Sequence, residues 1–146
     1  MLRLASVAAV LAVGATAVYA QNVAVIKERQ KLYESQGKAV KQPNAAYKGT
    51  DELDLAKVKS ALKLIQDNAG KLPKLFPDDS KTGGDTEALP AIWENKKDFE
   101  ERFLKLAEAA KAAETAISDE ATFKSEWPKV LGVCSECHKK YRKEKK

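Results

Sequence analysis

Near the C-terminus the chain reads Cys134-Ser135-Glu136-Cys137-His138, and these five positions hold both of its cysteines and its single histidine. Two thiols at C-x-x-C spacing add across the vinyl groups of haem as thioethers, and the adjoining histidine reaches the iron. On a helix Cys134 and His138 are i and i+4 and Cys137 is i+3, so all three project from one stripe. Read as a haem c site, this box requires the chain to fold around a flat macrocycle. Three other readings compete with haem c. A redox dithiol expects a strand-to-helix setting, which the sequence lacks. A zinc site wants about four ligands, and Cys134, Cys137 and His138 exhaust the soft ones. Inert thiols are the third.

The N-terminus points to an export route. Met1-Leu2-Arg3-Leu4 is followed by small and apolar residues to Val18-Tyr19-Ala20, with small residues at −3 and −1. That pattern describes a leader, residues 1–20, cleaved after Ala20, and its apolar run is too short for a membrane span. The expectation is one soluble mature domain, residues 21–146, in the periplasm, not membrane-embedded, where two free thiols would otherwise tend towards a disulfide. Losing Arg3 takes the formal charge from +5 to +4. Much of the excess lies at Lys139, Lys140, Arg142, Lys143, Lys145 and Lys146. Cations at a helix end complement its dipole; the alternative is a basic rim that steers an acidic redox partner. Nucleic acid is not expected, because no aromatic residues interleave with the charge.

Four segments carry helical periodicity and none reads as strand. The first spans about Asn22 to Lys41 through Val25, Ile26, Arg29, Leu32, Tyr33, Gln36 and Val40, with Pro43 ending or kinking it. The second starts from a cap at Thr50 or Asp51 and places Leu55, Val58, Ala61, Leu62, Ile65 and Ala69 on one face, with Gly70 as its stop. Residues 71–94 read as a long irregular connection with its ends pinned and its Gly83-Gly84 middle exposed. The third covers Asn95 to Ile117, with Phe99, Phe103, Leu106, Ala110, Ala113 and Ile117 inward. The fourth begins near Ser118 or Asp119 and carries Phe123, Trp127, Leu131, Cys134, His138 and Tyr141 inward. Pro128 costs it about 3 kcal/mol and predicts a kink or break. The expected fold is all-α, an antiparallel up-and-down four-helix bundle with covalently bound haem c.

The chain resembles the cytochrome c′ family, the high-spin branch of class II c-type cytochromes. The likeness is carried by Cys134 through Arg142, by Arg29-Gln30, and by Leu72-Pro73, Phe76-Pro77 and Leu89-Pro90-Ala91-Ile92-Trp93. It implies one haem c on Cys134 and Cys137, with His138 as the sole protein ligand to a pentacoordinate iron. It also implies Arg29 near a propionate, Tyr33 over the distal face, and Arg142 lining the proximal pocket; Tyr141 is expected to pack. A related branch is low-spin, with a first-helix methionine as sixth ligand. Here the one methionine is Met1, so an open or sterically filled sixth position is the expectation. Implied partners are redox proteins and small gases such as nitric oxide or carbon monoxide, in a protein that is not an enzyme. The alternatives are a low-spin six-coordinate electron carrier or a weak haem peroxidase, the latter short of a distal acid or base. Family members commonly form homodimers through the first two helices, which this sequence neither supports nor excludes.

Overall fold

Every long segment is rich in good helix formers, and the computed structural model, described for residues 8–144 with side chains from residue 23, is helix and connection throughout. Helix α1 is Ala8–Tyr47 and α2 is Leu55–Lys71; two 3-10 turns, Leu72–Leu75 and Asp78–Ser80, lead to a short helix α3, Ala91–Glu94. Helices α4, Lys96–Ala116, and α5, Glu120–Tyr141, complete the chain. The four long helices pack as an antiparallel up-and-down bundle, α2 lying against α1 and α4, and α4 against α5. No helix among the described residues is long and apolar enough to cross a membrane. The expected leader, residues 1–20, lies outside the residues whose side chains are described, as do Lys145 and Lys146 of the basic tail.

Two adjoining apolar clusters form the core. One joins Val58, Ala61, Leu62 and Ile65 of α2 to Leu106, Ala110 and Ala113 of α4 and to Phe123, Trp127 and Val130 of α5. The other gathers Ala69, Leu72, Phe76, Ile92, Phe99, Phe103 and Tyr141. Each large apolar side chain buried this way contributes about 1.5–3 kcal/mol. Phe99 is the hub of the second cluster, edge-on to Phe76, Phe103 and Tyr141 at 4.8, 5.1 and 5.2 Å. The stripes expected on α2 and α4 are buried except for Leu55, which is half-buried, but α1 is different. Ile26 and Arg29 are buried, whereas Leu32, Gln36 and Val40 are half-buried and Tyr33 is exposed. Among the described side chains, the middle of α1 is therefore its least buried part.

Several boundaries depart from the sequence expectation. Pro43 neither ends nor breaks α1; it is fully buried, and the helix runs on to Tyr47. Closure comes at Gly49, whose φ of +72° suits glycine, and at Thr50, whose hydroxyl donates back to the Ala45 carbonyl. Thr50 thus finishes α1, and the cap of α2 is Asp54, which accepts from the Lys57 amide at 3.0 Å. Gly70 does not stop α2, because its φ is not positive there; the chain tightens one residue later, where Pro73 cannot donate. The connection is not structureless either, since its middle is clamped to α1, as described below. Helix α5 opens on a capping box, Asp119 accepting from the Thr122 amide and Thr122 accepting from the Asp119 amide.

Pro128 also fails to interrupt α5, which is continuous from Glu120 to Tyr141. The flanking Trp127 and Val130 are 0% and 1% exposed, and their burial holds the helix together across the missing hydrogen bond. Trp127 adds an indole N–H bond to Asn44 Oδ1 at 2.9 Å, tying α5 to α1. Replacing Pro128 with Ala restores the amide that would donate to the Lys124 carbonyl. Urea unfolding should show the variant more stable by about 1–3 kcal/mol.

Candidate functional site

Cys134, Cys137 and His138 lie on the last turns of α5, all three half-buried. Cys134 and Cys137 form no disulfide with one another. Cys134 packs against the first core cluster and Cys137 against the second, so the pair sits at the seam between them. Burial pushes the Cys134 thiol up to about 11, with Cys137 adding to the rise. Cys137 is raised mainly by burial, while the Arg102 guanidinium pulls it down and Asp98 pushes it up. The end of α5 is fixed by backbone bonds, Arg142 N to the His138 carbonyl at 3.1 Å, Leu89 N to the Tyr141 carbonyl at 3.0 Å and Lys143 N to the Glu87 carbonyl at 2.8 Å. The family motif's tail is therefore stitched to the connection.

Across from this stripe stands α1. Tyr33 keeps 37% of its surface open to water, yet surrounding protein crowds it enough to raise its phenol well above the ordinary tyrosine value. Burial is the first cause and Cys137 the second, with Arg29 and Arg142 pulling the other way. Tyr33 is thus within electrostatic reach of Cys137, Arg29 and Arg142.

Arg29 is only 2% exposed, and its guanidinium is committed to the connection. Nη1 donates to the Leu75 carbonyl at 3.1 Å and to Ser80 Oγ at 2.9 Å. Nη2 donates to the Ser80 carbonyl at 3.1 Å and Thr86 Oγ1 at 2.8 Å. The group also lies 4.4 Å over the Phe76 ring. Four of its five N–H donors are thus spent on residues 75–86. The sequence offered Arg29 as a propionate contact and gave no sign of this clamp, since the partners lie far along the chain.

Asp98 is a site residue the sequence reading missed. It accepts from Arg102 Nε at 2.9 Å, from Lys140 Nζ at 3.0 Å and from the Tyr141 hydroxyl. Arg102, Tyr141 and Lys140, in that order, hold its carboxyl well below the usual carboxylate range. The i,i+4 pair with Arg102 was readable, but the contact with the haem-motif turn required the fold. Tyr141 packs as expected, 3% exposed. Of the basic tail, Lys140 is paired with Asp98 and Lys143 Nζ donates to the Thr86 carbonyl at 3.0 Å.

Two cysteines and a histidine on one helical stripe of a four-helix bundle, at the seam of its two apolar clusters, define a c-type haem-binding domain. The sequence profile of the Cytochrome C′ family matches residues 24–142. A cytochrome c′ of Rhodopseudomonas palustris (strain ATCC BAA-98 / CGA009) is 45% identical over 99% of this chain and 98% of its own. A cytochrome c-556 from the same organism is 34% identical over 97% of each. The structure of cytochrome c′ from Rhodopseudomonas palustris superposes with a TM-score of 0.81 at 48% identity, covering 84% of this chain and 98% of that one. The chain belongs to the cytochrome c′ family, whose members carry one covalent haem c. Cys134, Cys137 and His138, half-buried together on one stripe at the core seam, fit that group.

Because the Asp98 carboxylate is depressed in the folded state, its contribution to stability is complete above the unfolded carboxyl value, about 3.9, and is lost as pH falls through the folded one. Asp98→Asn should lower thermal stability at neutral pH and flatten its decline below about pH 4. Thermal unfolding followed by circular dichroism from pH 2 to 7 checks this.

Proposed function

We propose that the chain is exported to the periplasm, loses residues 1–20 and works as a haem protein, residues 21–146, whose iron is ligated by His138 alone. Cys134 and Cys137 hold the macrocycle by thioethers, with Tyr33 over the opposite face. Haem supplies a redox-active iron able to accept a small ligand. The protein then moves single electrons, binds nitric oxide or carbon monoxide, or does both, and is not an enzyme.

The observation that carries this reading is Tyr33 opposite the Cys137 turn, in a chain whose other strong ligands are used up: His138 is the only histidine and Met1 the only methionine. A phenol with a raised pKa stays neutral at neutral pH, where it is a poor iron ligand but still a hydrogen-bond donor. A six-coordinate carrier would need a strong sixth ligand, and α1 holds neither histidine nor methionine. No second imidazole stands by to move protons for a peroxidase. Arg142, one turn beyond His138, lies within electrostatic reach of Tyr33. Arg29 would meet a propionate through Nε–H or by releasing a bond to the connection, and its first task is to hold that connection.

Optical spectra of the purified, dithionite-reduced protein with and without carbon monoxide test this. The expected result is a high-spin spectrum that shifts on addition of the gas. A low-spin spectrum indifferent to carbon monoxide would overturn the open face. Tyr33→Ala should speed association about tenfold or more, as it removes a bulky residue from the open face.

A further inference from the structure

Among the buried residues of α2, which are otherwise Val58, Ala61, Leu62, Ile65 and Ala69, Asn68 is the polar one. It is 1% exposed. A leucine would suit that register better, and a buried amide costs stability unless it is paired. Its Nδ2 donates to the backbone carbonyl of Leu32 at 3.0 Å and, more weakly, to Gln36 Oε1 at 3.5 Å. Leu32 immediately precedes Tyr33 and Gln36 lies on the next turn, so the two acceptors bracket Tyr33 on α1. Leu32 also packs against the cluster that holds Cys137.

This is the stretch where α1 is least buried. Apolar contact alone resists separation of two helices but lets one slide or roll on the other, because it is non-directional. A hydrogen bond from one helix to a backbone atom of the next fixes both height and rotation. Ser35 Oγ also donates to the Leu32 carbonyl, at 2.7 Å, but that bond closes within α1 and ties it to nothing.

We propose that Asn68 is a positioning residue: its amide pins the turn of α1 that carries Tyr33 to α2, and through Tyr33 sets how readily a diatomic ligand reaches the iron. The proposal rests on Tyr33 being the lid of the open face. Its test uses the haem-loaded protein with Asn68→Leu, which keeps size and removes the donor, in the wild-type and Tyr33→Ala backgrounds. Asn68→Ser is read in its place if Asn68→Leu does not accumulate with haem.

Carbon monoxide association and amide hydrogen exchange are measured together. The loss of one hydrogen bond should speed association roughly three- to tenfold, raise exchange across residues 30–37 and leave α4 unchanged. In the Tyr33→Ala background the same substitution should add nothing to the association rate. An equal acceleration in both backgrounds, or unchanged rate and exchange, would overturn the proposal. If the parent protein takes up no carbon monoxide, the open-face reading falls by itself. Exchange then decides the pin, local loosening at residues 30–37 supporting it and unchanged exchange refuting it.

Discussion

The placement of Cys134, Cys137 and His138 on one stripe of α5, at the seam of two apolar clusters, governs the rest of the structure. Protein interiors pack to near-crystalline density, and a bundle filled that way from all four helices would leave no room for a macrocycle. Helix α4 packs against both α2 and α5 and α1 packs against α2, whereas α1 and α5 meet at few positions. The mid-section of α1 carries half-buried Leu32, Gln36 and Val40 and an exposed Tyr33. In the family to which the chain belongs, a haem occupies such a bundle.

A helix that cannot be held by full apolar burial must be held otherwise, and α1 is pinned by polar contacts at three heights. Arg29 fastens it to Ser80 and Thr86 of the connection, Asn68 fastens it to α2, and Asn44 accepts from Trp127 of α5. Each such bond is worth only about 0.5–1.5 kcal/mol net, but removing one partner of a buried pair costs more. The arrangement sets position without filling space. The same logic explains the far side of the site, where Asp98 gathers Arg102, Lys140 and Tyr141 and fixes the turn that carries His138.

Much of this was legible in the sequence because it was local. The thiol box, the stripes of α2 and α4 and the Asp119 start of α5 each follow from spacing a few residues apart. Neither proline stops its helix, for a physical reason: the cost of a missing amide is local, whereas the burial of Pro43 and Trp127 that offsets it depends on other helices. The Arg29 clamp, the Asp98 hub and the pairing of residues 87–89 with the end of α5 join positions remote in sequence. Only Asn68 left a trace, as an amide in an apolar register, and a trace of that kind says that a partner exists without saying which.

Covalent attachment at the α5 stripe is the claim on which the account stands. Acid–acetone treatment of the purified protein, followed by intact and peptide mass spectrometry, tests it most directly. The account predicts that haem stays with the chain and that its mass maps to the peptide containing Cys134 and Cys137. Haem released into the solvent, with Cys134 and Cys137 recovered as free thiols or as a disulfide, would contradict it.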